Sequence, residues 1–149
     1  MNPGSWMAIF LVACSGAMLA LQAPTNAMLA RAGGSPVLAA LISFAVGTIA
    51  LLVVWLLSGN RPSSAQFGTL PWYAWMGGFY GAFFVAIAAY GAPRIGVAPL
   101  ITISIAGQIA MALWLDHIGA LGLPREPINL ARVLGALLVV AGVIVVRRN

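Results

Sequence analysis

The sequence predicts an all-α integral membrane protein that crosses the bilayer five times, and three observations carry that prediction. The first is composition: 62% of the 149 residues are apolar, only 6% are charged, and the mean hydropathy is +1.04. A soluble domain needs about 25% charged residues to cover its surface, so lipid is the natural solvent here. The second is the gathering of apolar residues into five runs, each near the ~20 residues that a 30 Å hydrocarbon layer requires at 1.5 Å per residue. The third is the chemistry of the breaks. They are written in Gly and Pro, which relax the turn and cannot donate to a helix ladder.

The runs cover residues 6–30, 36–57, 72–92, 95–115 and 130–146. The first contains Leu11-Val12-Ala13-Cys14, which looks like a lipoprotein cleavage box. No Lys or Arg precedes it, as such a signal would require, so it reads as helix. This run ends at Gly33-Gly34-Ser35-Pro36, and the second ends at Gly59-Asn60-Arg61-Pro62. The third begins at Pro71-Trp72 and is expected to stop at Pro93-Arg94. The fourth follows at once, and Gly122-Leu123-Pro124 separates it from the fifth. Residues 58–71 and 116–129 read as loops, too short for another domain, so residues 1–149 form a single transmembrane domain. Gly77, Gly81, Val85 and Ala88 make a small-residue stripe on the third helix, and Gly135 and Gly142 recur on the fifth. Such residues let backbones approach, within one chain or between two.

The net charge of +5 arises from seven Arg against two acidic residues. The arginines stand singly between apolar runs, where they anchor helix ends at lipid headgroups. They do not cluster into the patch that a nucleic-acid partner would need. With five spans the termini lie on opposite sides. Face one, which holds the N-terminus, receives Arg61, Arg125 and Arg132; face two receives Arg31, Arg94, Arg147 and Arg148. Orientation follows the Lys/Arg imbalance between faces. Three against four is almost none, which predicts insertion in both orientations and an antiparallel homodimer; the alternative is a single orientation set weakly by Arg147 and Arg148. Trp6, Trp55, Trp72, Trp75 and Trp114 all fall near face one; two antiparallel copies would furnish both interfaces with Trp. Cys14 is the lone cysteine, so no disulfide within the chain is expected.

Polar groups inside the runs carry the functional reading. Gln22, Thr25 and Asn26 surround Pro24 in the first helix, and Pro24 frees a carbonyl one turn earlier. Pro99, Thr102, Ser104 and Gln108 occupy the fourth. Counted from the expected ends, Gln22 lies ~6 Å from mid-span, Ser104 ~2 Å and Gln108 ~5 Å. Helices broken by Pro24 and Pro99, with polar groups at similar depth, point to a transport site. Tyr80 and Tyr90 are further cavity-lining candidates. The alternative is that these side chains only hold helices together, at ~0.6 kcal/mol per bond. No Asp or Glu falls inside a run, so the buried carboxylate common in proton-coupled exchangers is missing. Asp116 and His117, at the end of the fourth helix, are candidates for titration, and Arg94 for gating or for attracting an anionic group. A single His builds no metal site, and no nucleophile–base pair or phosphate loop is present. No metal, cofactor or enzymatic activity is expected.

Taken together, these residues are similar to a known pattern. Gln22-Ala23-Pro24-Thr25-Asn26, Gly34-Ser35-Pro36, Ser43-Phe44 and Gly47 match it in the first two helices. Pro71-Trp72, Gly77-Gly78, Ala92-Pro93-Arg94-Ile95-Gly96 and Gly107-Gln108 continue it. Asp116-His117, Leu121-Gly122 and Arg132 complete it. Across nearly its whole length the chain resembles the YdcZ-type family of the drug/metabolite transporter (DMT) superfamily, small proteins of the bacterial inner membrane. The resemblance implies five helices forming half of a ten-helix inverted-repeat fold, completed by a dual-topology homodimer, an oppositely oriented partner or a fused tandem copy; the balanced arginines place this chain with the antiparallel homodimers. The expected function is alternating-access transport of a small polar metabolite or drug-like solute. A passive channel of the same build and a non-transporting structural or regulatory subunit are the rival readings.

Overall fold

The computed structural model describes residues 3–59 and 67–148, and no strand occurs among them. The described chain forms five long helices: α1 (Pro3–Gly33), α2 (Pro36–Ser58), α3 (Gly77–Ile95), α4 (Val97–Ile118) and α5 (Leu130–Arg148). Short 3-10 turns at Trp72–Met76 and Ala120–Gly122 precede α3 and follow α4. Four of the helices are long and apolar enough to cross a membrane, counting Trp72–Ile95 as one span. The apolar part of α5, Leu130–Val146, is shorter; its 17 residues reach about 25 Å, against roughly 30 Å of hydrocarbon.

The chain divides between Arg94 and Ile95 into two compact units. The first holds α1, α2 and α3. Local chemistry explains the α1–α2 corner: Gly34 has φ of 70°, and Ser35 caps α2 by accepting the Leu38 N–H on Oγ at 3.3 Å. Pro36 follows in the first turn, where its missing N–H costs nothing. The buried residues of this unit are Ala23, Asn26 and Ala27 of α1, Ala39 and Ala40 of α2, and Val85, Ala88, Ala89 and Ala92 of α3. Eight of these nine are apolar and seven are alanine. The contact is made by backbones drawn close over small side chains, as expected where lipid supplies no hydrophobic drive between helices. The stripe on α3 serves this packing within the chain: Val85 and Ala88 are buried, and a Cβ on Gly81 would meet the Phe44 ring at 3.1 Å.

The second unit is α4, the Ala120–Gly122 turn and α5, with α4 packed on α5. Gly119 closes α4 in the left-handed region, and Asn129 caps α5 by accepting the Arg132 N–H on Oδ1 at 2.9 Å. A methyl group added at Gly135 or Gly142 would meet no atom of the described residues within 4 Å, so this stripe faces open space.

Three sequence expectations are corrected. The third helix does not stop at Pro93-Arg94; it runs through Pro93 to Ile95, and the break falls at Gly96. A proline one turn from a C-terminus removes a single ladder bond, whereas Gly96, at φ 84° and ψ 160°, occupies a region essentially closed to other residues. Pro99 is not a helix break. It sits in the first turn of α4, where no intrahelical donor is needed. Pro24 lies inside α1, which stays helical on both sides of it. Gly59 caps α2 with φ of 70°, as its break predicts; Asn60, Arg61 and Pro62 lie outside the described residues.

Candidate functional site

The polar segment of α1 is reshaped by Pro24 without being interrupted. Pro24 offers no N–H to the Ala20 carbonyl, so one acceptor in the helix lacks its usual donor. Thr25 turns inward on its own helix: its Oγ1 donates to the Leu21 carbonyl at 3.1 Å and the Gln22 carbonyl at 2.9 Å. Its hydroxyl is therefore engaged, and its side chain is exposed. Gln22 is half-buried. Asn26 differs from both. It is 2% exposed, and its Nδ2 has no hydrogen-bond partner among the described residues. An amide buried without a partner costs roughly 1–3 kcal/mol, so this side chain is held where folding alone gains nothing from it.

One turn further along α1, the first unit opens a cleft of about 330 Å³. Ala27, Ala30 and Arg31 line it from α1, Pro36 from the start of α2, and Tyr90 and Arg94 from α3. The end of α1, the beginning of α2 and the end of α3 thus meet on one side of the unit, the side designated face two. Arg94 stacks over the Tyr90 ring, 3.6 Å from its centroid, and its Nη1 donates to the Tyr90 carbonyl at 2.5 Å. Neither Arg31 nor Arg94 has a carboxylate partner among the described residues. The chain's two acidic residues, Asp116 and Glu126, are both paired with Arg132.

In the second unit, Ser104 donates its hydroxyl to the Leu100 carbonyl at 2.7 Å, and Thr102 does the same to Ala98 at 2.6 Å. Both spend their donors on the preceding turn. Gln108 is exposed. Because α4 begins at Val97 and ends at Ile118, its midpoint moves; Gln108 now lies ~1 Å from mid-span and Ser104 ~5 Å. Asp116 and His117 form a clamp on the α4–α5 connection. Arg132 reaches Asp116 Oδ2 at 3.2 Å, Glu126 Oε2 at 3.4 Å and the Glu126 carbonyl at 3.3 Å. His117 accepts the Ile128 N–H on Nδ1 at 3.3 Å, and its carbonyl accepts Arg125 Nε at 3.0 Å. Tyr80 is exposed on α3 and packs edge-on to Phe79, with ring centroids 6.3 Å apart.

Within the first unit, the structure therefore places Asn26 one residue before a wall of the cleft and Arg94 in the cleft itself. Tyr90 joins them there, and Tyr80 does not. In the sequence Arg31 is marked only by its charge. The signal that could have found it is its place in the last turn of α1, matching that of Arg94 in α3.

A family model described as "Putative inner membrane exporter, YdcZ" matches residues 7–145. The chain is also similar to the Inner membrane protein YdcZ of Escherichia coli (strain K12), with 26% identity over 141 residues, covering 94% of this chain and 93% of that protein. No solved structure matches. The match runs from the start of α1 nearly to the end of α5, taking in the Pro24 segment, the cleft and the Arg132 clamp. The chain belongs to the YdcZ family of inner-membrane proteins and is itself a multi-pass protein of the bacterial inner membrane.

Proposed function

We propose that the chain is half of a small transporter, in which two antiparallel copies assemble ten helices and move a small polar metabolite or drug-like solute by alternating access. The observation that carries this reading is Asn26. Its donor is buried to 2% exposure and unpartnered, next to the proline that frees a backbone acceptor in α1. An unpartnered amide donor inside an apolar layer makes a polar foothold for a solute. Gln22 adds a second amide at this level, and Gln108 and Ser104 supply polar groups near the middle of α4. Exporter is also the word the family description uses.

The antiparallel dimer is supported by two further features. Arginines divide three against four between the faces, which leaves orientation nearly unbiased. A single chain also covers little of its apolar surface: no large side chain among the described residues is fully buried, and large apolar side chains stand exposed along every helix. In the assembled pair α5 completes the fifth crossing, with Arg132 reaching the headgroup layer and the bilayer thinning slightly around a 17-residue apolar stretch.

The test is flux through purified protein in liposomes. A panel of labelled neutral and zwitterionic metabolites and a cationic dye is followed in protein-containing and empty vesicles. Saturable flux of at least one compound is expected, with Asn26→Ala lowering it at least tenfold while remaining folded. Flux that does not saturate favours a pore. Flux equal in Asn26→Ala and the parent removes the site from α1.

A further inference from the structure

We infer that the cleft between the ends of α1 and α3 is a binding site for a phosphoryl group carrying an apolar chain. This inference stands on the first unit alone and does not depend on transport. Its first ground is uncompensated charge. Arg31 and Arg94 both line the cleft, and both acids of the chain are engaged elsewhere, by Arg132. Two guanidiniums lining one cleft present like charges that an oxyanion would complement.

The second ground is preparation. Tyr90 fixes the Arg94 guanidinium by stacking and by accepting one of its N–H groups through the backbone. The remaining donors keep the planar fork that matches a phosphate. Pro36 brings the N-terminal end of α2, with its partial positive charge, into the same wall. The third ground is the rest of the lining. Ala27, Ala30 and Pro36 offer no polar side chain, and the volume of about 330 Å³ exceeds what a bare phosphate would fill. A headgroup near the arginines with an aliphatic portion along the alanines matches both halves. The bland reading, that each arginine only offsets the negative end of its own helix, accounts for the charges one by one but not for their sharing a cleft.

Two sources of this chemistry are available, an anionic phospholipid of the bilayer and a free phosphorylated amphiphile. The full-length protein is placed in nanodiscs of phosphatidylcholine alone or with phosphatidylglycerol, and hexyl phosphate is titrated into both. Lipid retention after release from the discs is read by native mass spectrometry, and amphiphile binding by calorimetry. The expected result is saturable binding of at least one probe, at least tenfold weaker in Arg31→Gln/Arg94→Gln and unchanged in Arg125→Gln, which removes one charge outside the cleft. Phosphatidylglycerol retention that resists hexyl phosphate assigns the site to lipid; displacement by hexyl phosphate assigns it to a soluble ligand. Ala30→Phe, which fills the cleft and leaves both arginines in place, is expected to lose binding as well, so misfolding of the double variant does not end the test. Equal binding by the parent and both cleft variants, or no saturable binding of either probe, overturns the proposal.

Discussion

At Asn26, stability and function make opposite demands. Replacing it with Ala removes a buried donor that has no partner among the described residues, so the variant should be as stable as the parent or more stable, by up to about 1–3 kcal/mol. If the amide holds a solute, the same substitution removes transport. Thermal midpoint in mild detergent and liposome flux, measured on one preparation, separate the cases. A large loss of stability would mean that Asn26 is packing glue after all. Thr25 and Ser104 are expected to behave differently. Their hydroxyls are satisfied by carbonyls of their own helices, so Thr25→Val and Ser104→Ala should change both readouts little. This is also where the sequence was least legible. Residue type and the neighbouring Pro24 set Asn26 ahead of Thr25 and Ser104 as a solute contact, but each of the three can donate a hydrogen bond. Which of them is left with an unspent donor depends on rotamer and burial, and neither is written in local pattern. Arg31 carries no local signal for a related reason: its significance comes from Arg94, 63 positions away, and only packing brings the two to one cleft.

At the scale of elements, composition did most of the work. Four spans follow from runs of apolar residues, because a helix that must satisfy its own backbone in lipid leaves few alternatives. Helix ends were harder, since Gly and Pro both mark breaks yet act differently. Pro93 subtracts one bond near a terminus and the helix absorbs it, whereas Gly96 adopts backbone angles that other residues avoid. Gly96→Ala should therefore cost about 1–3 kcal/mol, and Pro93→Ala should be neutral or mildly stabilising; thermal melts of the two variants in one detergent test the order. The α4–α5 connection supplies a second element-level prediction. Arg132 ties Asp116 to Glu126, but its side chain is 31% exposed and that of Asp116 38%, so solvent and headgroups screen the pair. A double-mutant cycle on Arg132→Ala and Asp116→Ala should give a coupling of about 0.2–1 kcal/mol. Coupling near zero would reduce Arg132 to a membrane anchor.

For the whole molecule, the decisive quantity is the division of seven arginines between two faces. Sidedness follows the difference in Lys and Arg between loops, and a difference of one leaves the two insertions close in free energy. Tags at the two termini, each probed for accessibility in intact cells, should therefore report mixed orientation. The same logic makes the mixture adjustable. Ser63→Lys with Ser64→Lys adds two charges to face one, and Ala32→Lys with Asn149→Lys adds two to face two. Each pair should drive its variant to one dominant orientation, opposite to that of the other. If the working unit is an antiparallel pair, either biased variant alone should lose most of its flux, because its copies have no inverted partner. Expressing both in one cell should restore flux, although no residue of the proposed site differs from either single case. Full activity of one biased variant on its own would show that parallel or single copies suffice, and the five helices would then have to be read as a complete transporter rather than half of one.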